Sequence, residues 1–157
     1  MPVKAFNSRY FIAILIAVLL LATSCKKVKE DIQTNVLQQY FESNILNRDF
    51  IVQLAKDTAN DITSQYNSQI FRLYKNSITN SNYDGPMSGI KNGTVYTGTW
   101  SSNEDYSKLT ISLTSPTPPA EYKFINRSWK FTKKAFPVME LAPWGSSDPK
   151  VLHMQRL

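Results

Sequence analysis

The chain has 157 residues, 42% hydrophobic and 12% aromatic, which suits one domain with short extensions and is too apolar for a disordered chain. One Cys and one His exclude a disulfide framework and a Cys/His zinc site built within one chain. With 18 basic and 12 acidic residues the formal net charge is +6, but part of it belongs to a segment expected to be removed.

That segment is 1–24, MPVKAFNSRYFIAILIAVLLLATS. Lys4 and Arg9 make its start positive, and no acidic residue precedes Glu30. Residues 10–22 are apolar without a break, roughly 20 Å of helix at 1.5 Å per residue. A stable membrane span needs about 20 residues, so this shorter run reads as the apolar core of a signal peptide. The small residues Ala22, Thr23 and Ser24 stand directly before Cys25.

The string Ala-Thr-Ser-Cys resembles the lipobox of bacterial lipoproteins, and Thr-Ser-Cys-Lys-Lys resembles lipoproteins of the Bacteroidota type. The resemblance implies cleavage before Cys25, acylation of its thiol and of the new N-terminus, and a lipid-anchored place at the outer membrane of the cell envelope. Lys26 is not the acidic residue associated with inner-membrane retention; whether the protein faces the periplasm or the surface is left open. The alternative is a secreted protein with a free thiol at Cys25. One buried acyl chain binds a bilayer only marginally, and several anchor stably. Lys26, Lys27 and Lys29 would add attraction to anionic headgroups. Loss of Lys4 and Arg9 leaves 16 basic against 12 acidic residues, or +4, which gives no footprint for nucleic acid.

Residues 25–33 read as a polar tether, and 34–157 as a single domain. Over 34–46 the apolar set Val36, Leu37, Tyr40, Phe41 and Ile45 has helical spacing, with Thr34 or Asn35 as the N-cap. After Asn47 the period changes to two. Phe50, Val52 and Leu54 alternate with Ile51, Gln53 and Ala55, and the turn-rich run 57–61 follows. A second strand is expected over 66–74, with Phe71 and Leu73 on one face. Residues 76–92 read as a long loop, or as a short strand pair around Asp84-Gly85-Pro86. Strands are then expected over 94–100, 108–114, 121–125, 128–133, 137–141 and 150–156, with Pro116, Pro118 and Pro119 ending the second of these. About eight short strands at regular spacing predict an antiparallel barrel, with a two-sheet β-sandwich as the alternative.

Gly98-Thr99-Trp100 before the alternating Leu109-Thr110-Ile111 strand, and Ser128-Trp129-Lys130-Phe131, resemble the Gly-x-Trp and Trp-x-Phe signatures of lipocalin-like lipoproteins of Bacteroidota. The resemblance covers 35–157 and implies a lipocalin-like barrel with a ligand in its mouth. In typical lipocalins Gly-x-Trp stands on the first strand; here it falls mid-chain.

Catalytic motifs are missing: no nucleophile elbow, no Gly-rich phosphate loop and no His-Glu-x-x-His. His153, the only imidazole, reads as a surface or satisfied structural residue on the last strand, not as a base. A hydrolase working through two carboxylates is the only enzyme left in reserve. Its carboxylates stand mostly in turns, and alternation turns Glu140 away from Met139 and Leu141. The turns 57–61 and 102–105 lack the glycine and distal Glu of a calcium loop, so no metal site and no cofactor are expected. Two aromatics fall in loops, Tyr83 and Trp144, and these are the candidate ligand-binding residues. An indole at Pro143-Trp144-Gly145 either stacks on a sugar or an apolar ligand, or folds back to plug the barrel; the cost of an exposed indole favours the second. The sequence thus points to a membrane-anchored, non-catalytic binding module for a small apolar or glycan ligand. The alternative is a structural or partner-binding envelope lipoprotein whose barrel is filled by its own side chains.

Overall fold

A computed structural model describes residues 35–79, 81–135 and 137–157. The chain divides into two compact units, Met1–Val36 and Leu37–Leu157, and the fold belongs to the second. The expected signal peptide, Cys25 and the tether lie outside the described residues.

Helix α1 occupies 35–44. Of its predicted stripe, Phe41 and Ile45 are buried together with Leu46, whereas Val36 is 59% exposed. Strands β1 (Asp49–Asp57), β3 (Ile70–Leu73), β4 (Asp84–Lys91), β5 (Thr94–Ser102), β6 (Lys108–Ser115), β7 (Ser128–Ala135), β8 (Val138–Pro143) and β9 (Val151–Arg156) follow one another as antiparallel neighbours. A two-residue strand, β2 (Asn60–Asp61), folds back on the end of β1. The last strand returns to the first, from Phe50 opposite Arg156 to Lys56 opposite Val151. The sheet is therefore closed: an up-and-down, eight-stranded antiparallel barrel with an N-terminal helix, a lipocalin-like fold and not a sandwich.

The number of barrel strands agrees with the sequence, but one of them lies elsewhere. Residues 84–91 form a full strand where a loop or a short strand pair was expected, and Asn92-Gly93 makes the turn that follows. Pro86 is tolerated because its carbonyl, and hence its nitrogen, faces Tyr74, where β3 has already ended. Conversely, 121–125 is no strand: Tyr122–Ile125 form one helical turn, α2, that buries Tyr122, Phe124 and Ile125. Tyr66 closes a 3-10 turn, Thr63–Tyr66, instead of opening β3. In β1 a bulge between Val52 and Leu54 turns Ala55 inward where Leu54 was expected.

Alternation fills the barrel. Phe50, Phe71, Met87, Trp100, Leu109, Ile111, Leu113, Trp129, Leu141, Leu152 and Met154 are all buried. At one end Phe41 from α1 lies against Trp100, Tyr106 and Phe131, with ring centroids 5.4, 4.8 and 6.3 Å away. At the other, Tyr122 from α2 stands between Phe71 and Tyr96, and Phe124 between Tyr66 and Trp129. Gly89 makes room for the Tyr122 hydroxyl, which a Cβ there would meet at 3.1 Å. Between β6 and β7 the ladder has only three residue pairs. Beyond them the Asn126 amide substitutes for a strand: its Oδ1 accepts from the Leu113 N–H and its Nδ2 donates to the Leu113 carbonyl, both at 2.8 Å.

Candidate functional site

Both mouths of the barrel, where the lipocalin resemblance implies a ligand, are occupied by the protein's own aromatics. Two features of the outer wall have the size or chemistry to hold one.

The first is an open groove of about 470 Å³ beside the β3–β4 loop, lined by Asn76, Asp84, Pro86, Thr99, Trp100 and Ser101. Its polar groups are largely engaged. Asn76 donates to Asp84 at 3.0 Å and accepts from the backbone N–H groups of Ile78 and Thr79. Trp100 shows almost no surface and donates its indole N–H to the Tyr74 carbonyl at 2.8 Å.

The second lies on the face of β6, β7 and β8. Lys108 and Lys130 are directly opposed, as are Thr110 and Ser128, whose hydroxyls hydrogen bond at 2.8 Å. Inward Leu109 and Trp129 force both lysines outward. Trp144, just beyond β8, donates its backbone N–H to the Ser128 carbonyl, and the Lys108 ammonium stands 5.6 Å from its ring centroid. The indole is 39% exposed and does not plug the barrel; Tyr66, Tyr122 and Phe124 do that.

Tyr83, the other aromatic singled out from the sequence, is half-buried against Tyr106 with centroids 5.3 Å apart, at the α1 end. The fold does not bring it to Trp144. Cys25 lies outside the described residues.

A recess of about 350 Å³ at the far end is bordered by Asp57, Glu121, Lys123 and Arg127. Asp57, Glu121 and Arg127 are engaged within the fold, Asp57 with Lys150 at 2.9 Å. Burial pushes the Glu121 carboxyl up, but hydrogen bonds, chiefly from Lys91, outweigh this and hold it below its usual range. Arg127 donates to the Phe124 and Lys123 carbonyls and covers the rings of Phe124 and Trp129. His153 sits opposite Glu140 on the outer wall, and Lys133 takes that carboxylate at 3.1 Å. Among the described residues no carboxylate is fully buried, and no group of three His, Cys, Asp or Glu side chains is placed to hold a metal ion. The fold is consistent with a non-catalytic binding module and presents no hydrolase arrangement among those residues.

Compared with family models, curated proteins and solved structures, the chain matches none. The lysine pair beside Trp144 escaped the sequence reading because alternation shows which side chains face outward, not which strands are neighbours or in what register.

Proposed function

We propose that this protein is a membrane-anchored, non-catalytic binding module that holds a small glycan or apolar ligand on the outside of a filled barrel. The observation that carries the reading is the contrast between interior and wall. Trp100, Trp129, Tyr66 and Tyr122 close the interior, while Trp144 keeps a partly exposed indole on the surface. An indole held in the turn just beyond β8, its backbone tied to Ser128, is a preformed apolar platform, and the hydroxyls and ammonium groups beside it supply orientation. Tyr83 serves the core beside Tyr106 and is not part of the ligand contact. The anchor is the acylated Cys25 expected from the lipobox resemblance, at the outer membrane.

Native mass spectrometry of the protein purified from its own host tests the reading. A copurifying small molecule that is lost in Trp144→Ala supports it. A ligand retained by that variant, or no ligand across repeated preparations, contradicts it. A filled barrel equally suits a partner-binding envelope lipoprotein; a protein recovered in stoichiometric complex, with no small molecule, would favour that second reading.

A further inference from the structure

Lys108 and Lys130 face each other directly across β6 and β7, an arrangement in which like charges repel. Among the described residues neither ammonium has an acidic partner: Lys108 rests on the Trp144 ring, and the Lys130 side chain is exposed. Glu140 pairs with Lys133 and Asp148 with Lys150, while the exposed Glu104 and Asp105 stand in the turn before Lys108. Two ammonium groups without an acidic partner, the Thr110–Ser128 hydroxyl pair and a partly exposed indole therefore share one small patch of outer wall.

Each component selects a feature of the occupant. Two opposed ammonium groups call for an anion seated between them, the hydroxyls for hydrogen-bonding groups, and the indole for a ring with an apolar face. A lipid surface would meet the lysines as well, but more than half of this indole is covered and its ring lies against Lys108, so it offers a platform and not a wedge to insert in acyl chains. We infer that the Lys108–Lys130–Trp144 patch binds a carboxylate-bearing saccharide, the sugar ring on Trp144 and the carboxylate between the two lysines. The inference rests on the binding-module reading and names the ligand class for it.

The test uses the full chain in detergent and three uronate trisaccharides, built from galacturonate, mannuronate and glucuronate, each beside its neutral methyl ester. At least one acid form should bind about tenfold or more tightly than its ester, with affinity falling as salt rises. Lys108→Gln and Lys130→Gln should each weaken it severalfold, and Trp144→Ala should abolish it. Lys130 is exposed and Lys108 is half-buried against the Trp144 ring, and neither belongs to the core, so their variants should keep the fold and shift the thermal melt only slightly. Equal binding of acid and ester, or indifference to both lysine variants, overturns the inference and leaves the binding-module reading standing. If no saccharide binds but vesicles rich in phosphatidylglycerol do, through the same residues, the patch is a lipid-headgroup surface and the inference fails. If no saccharide binds and nothing copurifies from the host, the inference and the reading it rests on both fail.

Discussion

At Gly98 an added Cβ would stand 1.8 Å from the Ser112 carbonyl oxygen, so β5 lies against β6 there only because that position has no side chain. Gly98→Ala should cost on the order of 3 kcal/mol, measured by urea unfolding, since the obstacle is backbone and cannot rotate away. A loss under about 0.5 kcal/mol would contradict the close approach. Two tyrosines at the α2 end make opposite cases. Tyr66 donates its hydroxyl to the Glu121 carbonyl at 2.6 Å, so Tyr66→Phe should destabilise by about 1 kcal/mol. The Tyr122 hydroxyl is buried with no hydrogen-bond partner among the described residues, so Tyr122→Phe should be neutral or stabilising by about 1 kcal/mol. Tyr106 extends the logic to pH. Burial, first, and the neighbouring Tyr83 and Glu42 push its phenol up to about 12, from about 10 in the unfolded chain. The folded state holds the proton more tightly, so its contribution is complete below pH 10 and is lost as pH rises towards 12. Spectrophotometric titration should show stability falling across that window, less steeply in Tyr106→Phe.

Among the elements, the loop between β6 and β7 does work that a strand ordinarily does. Asn126→Ala would remove both hydrogen bonds to the buried Leu113 backbone, and should cost about 2–3 kcal/mol in denaturant unfolding. Asn126→Asp should fare little better, because a carboxylate cannot donate to the Leu113 carbonyl. Faster amide exchange at Leu113 in both variants would locate the damage. Elements with strict alternation were legible in the sequence: β6, with Leu109, Ile111 and Leu113 inward, and the start of β7 around Trp129. Where tertiary contacts overrule local pattern, the sequence misleads. Asp84-Gly85-Pro86 carries turn residues, yet it begins a strand, and Gly85 is needed there because the Tyr74 carbonyl and the Trp100 indole nitrogen would lie 2.3 and 2.8 Å from any Cβ. Residues 122–125 have the aromatics of a strand, but their partner is the mouth of the barrel, and a helical turn delivers Tyr122 and Phe124 into it. The candidate site was half legible: Trp144 stood out as a loop aromatic, whereas the opposed lysines exist only through strand register.

Over the barrel as a whole, closure of β1 on β9 removes the open edges of the sheet and packs the interior, and the proposed function places recognition on the wall. The lipobox resemblance adds the proposal that Cys25 is acylated and is the mature N-terminus. Growth with a clickable fatty acid should label the wild-type protein, and Cys25→Ala should take up no label and leave the membrane fraction or keep its signal uncleaved. A wild-type protein without label would end the lipoprotein reading and leave the barrel unaffected. The claim that the ligand stays outside can be read from the three tryptophans, because Trp129 is wholly interior, Trp100 borders the groove and Trp144 stands on the wall. Fluorine NMR of 5-fluorotryptophan-labelled protein, titrated with uronate trisaccharides and with a long-chain fatty acid, is the most direct measurement. The account predicts that the bound saccharide shifts Trp144 and that neither compound moves Trp129; a saturable shift of Trp129 with Trp144 unmoved would place the ligand inside the barrel and contradict it.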